Sequence, residues 1–396
     1  MKILLIHPHD IYSLQEPWTV RITSIAKELN KSGHQVKLIY FSLDWQAGMP
    51  SSEFEGIESI PLSRRVGPLT FLGNIVKIHK ISKWADIIHF QKCFHWASIP
   101  ALLAGFLRNK PLHYDWDDWE EKIFIASNKK PFFPVLIFIR LLEKYIPRIV
   151  DTVSVSSGGL WELCINLGVD RRKIVHAPVG ADLDRFSPAI SCNGIRKKYG
   201  IEGLLIFYHS QLHGAQYADI FIEIARRFQG QNPEVNFMLV GDGSSLGKLK
   251  LYAQELSLEN LIFIGAVPHQ EIPKYIASAD ICVAPFEDND ITRCKSPLKI
   301  VEYLASGKPI VASEAGEVKK MLGEAGLLVK AGNARFLAEG VKILADNKSL
   351  REEMSKAARQ RAEKVYNWPT TTQNILKAYE TACRIKDFVG DEHEKI

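Results

Sequence analysis

Residues 296–313, SPLKIVEYLASGKPIVAS, set a helix start, a cation and a carboxylate at spacings that suit phosphate chemistry. Ser296 can cap the helix, and Pro297 suits its first turn, where no amide donor is needed. Leu298, Val301, Leu304 and Ala305 recur at helical spacing; Gly307 ends the helix, and PIVAS reads as a short buried strand. Such a helix start offers unpaired amides and the positive end of a dipole, with Lys299 in the first turn. That is an anion site, and phosphate is the obvious anion. One turn further, Glu302 can accept hydrogen bonds from two sugar hydroxyls. A phosphate cradle beside a carboxylate suits a nucleoside diphosphate with its ribose.

A second group of chemical side chains is HYDWDDWEE, residues 113–121. Asp115, Asp117, Asp118, Glu120 and Glu121 are too dense in like charge to be packing alone. Trp116 and Trp119 could stack on a sugar. Asp115 and Asp117, spaced as AspXAsp, offer a divalent metal as an alternative. A helix start needs no metal to hold a diphosphate, so the expectation is metal-independent chemistry with no cofactor. Arg21 opens a helix and could meet a phosphate or simply face solvent. In VGDG (240–243), Gly241 and Gly243 stand at a strand end, as a tight turn or as a donor contact.

The elements that must position these groups alternate between strand and helix. Buried strands read at 2–8, 35–41, 85–90, 110–116, 152–157 and 173–178, with a helix over 19–31 and further helices between. The pattern restarts at LLIFYHS (204–210), with strands at 235–241, 261–267, 280–285, 309–313 and 326–330 and three helices at the C-terminus. Alternation of this kind means parallel sheets covered on both faces. Two doubly wound α/β domains in tandem are therefore expected, with ligands at the carboxyl ends of their strands.

The length of 396 residues and an apolar fraction of 46% allow two cores. A net charge of +5 does not suit a dedicated nucleic-acid binder. The six cysteines lack CxxC spacing and read as reduced thiols of a cytoplasmic protein. No signal peptide and no membrane-spanning run are expected.

The 296–313 segment resembles the donor motif of GT-B glycosyltransferases of family 4, which are retaining and nucleotide-sugar-dependent. The second glutamate of the family's pair matches Glu302, and Gly307, Lys308 and Pro309 match its GlyLysPro. Gly180, Asp182, Phe186 and Pro188 match the family's interdomain segment. The resemblance implies two Rossmann-like domains facing across a cleft. An acceptor domain would span 1–186, with a helix at about 371–388 packing back on it. A donor domain would span 187–370, and 389–396 would be a tail. Gly265 and Val267-Pro268 would hold the nucleotide base by backbone contacts.

The chain departs from the family at several positions. Gln211 and Gln216 stand where many members carry Arg and Lys against the diphosphate. Arg293, Lys295 and Lys299 are expected to take over that role. Cys294 replaces the first glutamate, although Glu287, Asp288 and Asp290 share its loop. Asp117 replaces the usual histidine beside the sugar, next to Asp118. The loop 8–21 lacks the family's glycines and contains Pro17-Trp18.

Segments 63–83 and 129–149 are basic, amphipathic and too short or charged to span a bilayer. They could dock on an anionic leaflet or pack as buried helices. The resemblance thus implies a retaining glycosyltransferase that takes a UDP- or GDP-linked sugar to a glycan or lipid-linked acceptor in surface polysaccharide or glycolipid synthesis. Peripheral contact with the inner face of the membrane is expected. Asp117 would orient acceptor or sugar hydroxyls. The alternatives are a non-catalytic partner or sensor subunit and a sugar-nucleotide 2-epimerase.

Overall fold

The computed structural model describes residues 1–13, 19–46, 48–65, 67–127, 130–213, 217–230 and 234–393. They form two compact units: Met1–Pro178 with Trp368–Ile396, and Val179–Asn367.

The first unit is built on an eight-stranded sheet in the order β3-β4-β2-β1-β5-β6-β7-β8. Its strands are β1 (Lys2–His7), β2 (Gln35–Ser42), β3 (Ser52–Phe54), β4 (Ile57–Ser63), β5 (Ile87–Gln91), β6 (Leu112–Trp116), β7 (Thr152–Val155) and β8 (Ile174–His176). All pair in parallel except β3, which runs antiparallel to β4. Among the inner strands, β1 is an almost continuous apolar run because helices cover both faces. Ile3, Leu4, Leu5 and Ile6 of β1 are all fully buried. The edge pair β3–β4 is not evident in the sequence, since SEF and IESIPLS mix charge, serine and proline.

The second unit carries a six-stranded parallel sheet in the order β11-β10-β9-β12-β13-β14. These are β9 (Leu204–His209), β10 (Val235–Val240), β11 (Leu261–Gly265), β12 (Ile281–Ala284), β13 (Ile310–Glu314) and β14 (Gly326–Lys330). In each sheet the strand order reverses once, beside β1 and β5 in the first unit and beside β9 and β12 in the second. The crevice beyond the carboxyl ends at such a switch point is where doubly wound sheets bind ligands.

The first unit ends at Pro178, short of the boundary expected at 186, because the next residues bond to the second unit. Ala181 N–H donates to Tyr366 O at 2.9 Å, and Ala181 bridges Asn367. The return falls at Trp368 rather than 371. The helix Trp368–His393 belongs to the first unit, where Tyr379 Oη lies 2.5 Å from His89 Nδ1. No helix among the described residues is long and apolar enough to cross a membrane.

Candidate active site

In the second unit, the helix Leu298–Ala305 begins beyond the end of β9. Its N-cap is Pro297, and Ser296 does not cap it. Ser296 Oγ accepts instead from Val179 N–H at 3.3 Å. The first amides of the helix thus lack a side-chain cap, as an anion site requires.

Lys299 reaches from this first turn to Tyr208 Oη and Ser210 Oγ, both at 3.2 Å. Its ammonium also lies 4.4 Å from the Tyr208 ring centre and 5.7 Å from that of Phe286. Withdrawal from water and repulsion by Lys295 push it down to about 7, against the pull of Glu302. A cation so poorly compensated gains from an incoming anion. Lys295 is partly exposed on the preceding loop, and Leu298 is partly exposed beside it. Arg293 does not join them. It is exposed and forms a bidentate pair with Asp288, at 2.8 Å for both bonds.

The Glu302 side chain is 2% exposed, and each of its carboxylate oxygens accepts one imidazole hydrogen bond. His209 Nε2 donates to Oε2 at 2.9 Å, and His269 Nε2 donates to Oε1 at 2.7 Å. Burial alone would raise this carboxyl, but the two imidazole donors hold it down at about 2. An ionised carboxylate only accepts, so both Nε2 atoms carry hydrogen. The far nitrogen of His209 meets Tyr303 Oη at 3.1 Å, and that of His269 accepts from Arg185 Nη2 at 3.3 Å.

Gly241 closes the floor. At φ 149° a side chain there would run into the Ser210 carbonyl, and its N–H donates to Gly265 O at 2.9 Å. Close backbone packing therefore requires the glycine. Val267 and Gln211 are partly exposed. Gln216, Pro17 and Trp18 lie outside the described residues. Cys294 is buried.

In the first unit, the polar groups gather at the ends of β1, β5, β6 and β7. Arg21 does not face a phosphate or solvent. It is buried and grips Asp115 through Nε and Nη2, both at 2.7 Å. Ser154 Oγ adds a 2.5 Å bond to the same carboxylate. Asp115 is thereby withdrawn from any AspXAsp metal pair with Asp117.

The remaining carboxylates surround a cation that sequence reasoning missed. Lys92 Nζ lies 3.2 Å from Asp117, 3.3 Å from Asp118 and 2.5 Å from Glu120. These three carboxylates come within 4.8 Å of one another, which also suits a metal, but Lys92 already provides their counter-charge. Lys92 stands at φ 64°, a left-handed conformation unusual for lysine. Asp117 Oδ2 also accepts from Gln91 Nε2 at 2.8 Å, and Gln91 Oε1 meets His7 Nδ1 at 2.8 Å. Burial raises the Asp117 carboxyl to about 7 despite Lys92, with Asp118 and Asp115 adding repulsion. Such a group can accept a proton or a hydroxyl hydrogen bond near neutrality.

Trp116 is buried, not a sugar platform, and its Nε1 donates to Glu143 at 3.2 Å. Glu143 also accepts from the amides of Glu120 and Glu121, at 2.8 and 3.0 Å. It thereby holds the start of the helix Glu120–Ser127. Trp119 is partly exposed, with Lys122 Nζ 4.9 Å from its ring centre. The helix Phe133–Ile149 buries Glu143 but exposes much of its apolar side: Phe132, just before it, is 67% exposed and Phe133 66%. Leu69 and Leu72 of the helix Pro68–Ser82, and Leu107 of the helix His95–Leu107, are also exposed.

His209, His269, Arg185, Lys92, Gln91 and Glu143 were not singled out from sequence. Only His209 and Gln91 carried a usable signal, as polar residues ending apolar strands.

Comparison with known proteins agrees with this architecture. Residues 193–361 match the model for glycosyl transferases group 1, and residues 19–180 match the glycosyl transferase 4-like domain. A phosphatidyl-myo-inositol mannosyltransferase of Mycobacterium tuberculosis is 26% identical over 407 residues, covering 97% of each chain. A GDP-mannose-dependent monoacylated alpha-(1-6)-phosphatidylinositol monomannoside mannosyltransferase of Corynebacterium glutamicum is 28% identical over 216 residues, covering 53% of this chain and 56% of its own. The crystal structure of Anabaena HepE in complex with UDP and glucose superposes with a TM-score of 0.74 at 19% identity, covering 96% of this chain and 99% of that one.

Proposed function

Because the chain belongs to the family 4 type of group 1 glycosyltransferases and has the GT-B fold, we propose that it moves a sugar, with retention, from a nucleoside-diphosphate sugar to a glycan or lipid-linked acceptor. The observation that carries this reading is Lys299, poorly compensated beside the uncapped amides of the helix Leu298–Ala305.

In the reaction, the bond from the anomeric carbon to the phosphate oxygen breaks, and the nucleoside diphosphate leaves with the electron pair. The Lys299 ammonium and the backbone N–H groups of Leu298 and Lys299 neutralise the negative charge that grows on that oxygen. Their positive charge meets the need that Arg and Lys meet in many family members. The acceptor oxygen bonds to the anomeric carbon and gives up its proton. Asp117 orients the acceptor hydroxyl and can take that proton. The Mycobacterium relative is named for a phosphatidylinositol acceptor, which favours a lipid-linked acceptor here. One relative uses GDP-mannose and one structural neighbour holds UDP, so UDP and GDP are the nucleotides to try first.

The exposed apolar side of Phe133–Ile149, with Lys144 and Arg148 on the same helix, supports peripheral contact with an anionic leaflet. Flotation with phosphatidylglycerol vesicles tests it, and Phe132→Ser with Phe133→Ser should abolish co-flotation.

Thermal shift against UDP, GDP, ADP and their sugar conjugates, followed by mass analysis of acceptor mixtures, tests the main reading. Free nucleotide with a lengthened acceptor establishes transfer. Binding with no lengthened acceptor leaves the non-catalytic reading, and an isomerised donor points to an epimerase.

A further inference from the structure

Gln91 and Lys92 are consecutive in the chain, yet both reach one carboxylate. Gln91 Nε2 donates to Asp117 Oδ2 at 2.8 Å, and Lys92 Nζ lies 3.2 Å from Oδ1. Along an extended strand, neighbouring side chains point to opposite faces. β5 ends at Gln91, and Lys92 takes a φ of 64°, which breaks that alternation and brings its ammonium round to the same group. A lysine is strained there, and such strain persists only where its surroundings impose it. Ser156 Oγ fixes the backbone as well, donating to Asp117 O at 2.6 Å.

An amide can present either its oxygen or its NH2 group, and His7 decides which of them meets Asp117. β1 and β5 pair Ile6 with Phe90, so His7 and Gln91 come next in line, with His7 Nδ1 2.8 Å from Gln91 Oε1. Both side chains are fully buried. Burial, with repulsion from His9 and Lys92, pushes the His7 imidazole well down, so the neutral ring carries one hydrogen. That hydrogen sits on Nδ1. On Nε2, which has no partner among the described residues, it would be a buried orphan donor, and Nδ1 would face Oε1 as acceptor against acceptor. Turning the amide round fails for the same reason, because Gln91 would then donate to Nδ1 and drive the hydrogen onto Nε2. The NH2 group therefore stays toward Asp117, where a donor favours the ionised carboxylate.

We propose that Gln91 is a positioning residue for Asp117, aimed by His7, and that it keeps this carboxylate an acceptor toward a substrate hydroxyl. This rests on the reading of Asp117 above as the group that orients such a hydroxyl. Gln91 acts through Asp117 and touches no substrate itself.

Carbon-13 NMR of the full chain, labelled at its aspartate carboxyls, follows Asp117 as the signal missing from Asp117→Asn. The other charges that face it, Lys92, Glu120, Asp118, Asp115 and Arg21, stay in place in every Gln91 and His7 variant. Gln91→Met should move the Asp117 midpoint up by about one pH unit, a tenfold change in proton affinity. His7→Leu, which frees the amide to turn, should move it the same way by less. His7→Asn, which returns an N–H close to the place of Nδ1, should restore the wild-type midpoint. Turnover is read with UDP-glucose and GDP-mannose as donor probes and phosphatidylinositol vesicles as the acceptor probe. Gln91→Met should lower kcat about tenfold with the donor KM unchanged, and should cost nothing further in an Asp117→Asn background. An unmoved midpoint in Gln91→Met overturns the proposal, and so does a full additional loss of turnover when it is combined with Asp117→Asn. Undiminished turnover in Asp117→Asn, or none in wild type, removes the reading of Asp117 instead, while the NMR midpoints still decide whether Gln91 and His7 set the carboxylate.

Discussion

The ammonium of Lys299 lies 4.4 Å from the centre of the Tyr208 ring and 3.2 Å from its hydroxyl, with no carboxylate in ion-pair contact among the described residues. Its pKa is pushed down to about 7, against about 10.4 for an exposed lysine. A bound diphosphate would raise it again. Between pH 7 and the pKa of the complex, binding therefore takes up a proton, and affinity falls as pH rises, by up to about tenfold per unit. Titration with UDP or GDP at pH 8, in two buffers of different ionisation enthalpy, should report an uptake approaching one proton. Lys299→Ala should abolish the uptake and weaken binding by about 10- to 100-fold. An unchanged affinity would remove Lys299 from the phosphate site.

Asp117 gives the opposite pH limb. Its folded pKa of about 7 exceeds the unfolded value near 3.9, so the folded state binds the extra proton between these values. Its contribution to stability accordingly falls as pH rises from about 4 to about 7. Relative to wild type, Asp117→Asn should be more stable at pH 8 than at pH 5, as melting temperatures would show. The same variant should lose about 100-fold or more in turnover, with nucleotide affinity unchanged. Wild-type turnover should rise through pH 7 and then fall as the donor site weakens, giving an optimum near neutrality.

Arg21 and Asp115 form a buried bidentate pair. Breaking it by Arg21→Ala leaves a buried carboxylate and should cost roughly 3–5 kcal/mol. Replacing both, as Arg21→Met with Asp115→Leu, should cost much less. Urea unfolding followed by probes in the first unit would measure the difference. Equal losses in the two variants would refute the account.

Gly241→Ala tests the floor of the donor unit. The added carbon meets the Ser210 carbonyl at a φ of 149°, and the second unit should lose about 1–3 kcal/mol, with weaker nucleotide binding. Gly247→Ala is the control: its position on the helix Leu246–Glu255 is open, so stability should be kept or raised by up to about 1 kcal/mol.

The sheets were legible in sequence because several strands buried on both faces are unbroken apolar runs, such as LLIFY and ICVA. β3–β4 was not, since an edge pair half open to solvent needs no such run. The anion site at Lys299 was legible because it is local: a helix start, a proline and a lysine within one turn. The burial of Glu302 was not, because its partners His209 and His269 lie 93 and 33 residues away along the chain. The acidic stretch 115–121 was read as a dense cluster of like charge for the same reason. Its counter-ions, Lys92, Arg21 and Arg140, come from three other elements.

The cysteines have a use unconnected with chemistry at either site. All six are thiols outside any disulfide, and four are sealed in the cores: Cys93 and Cys164 in the first unit, Cys282 and Cys294 in the second. Burial pushes the Cys164 thiol up to about 12 and raises that of Cys282 as well, so neither reacts while its unit is closed. Each unit therefore carries its own pair of silent reporters. Pulse alkylation in mild denaturant, read peptide by peptide, would time the opening of one half independently of the other.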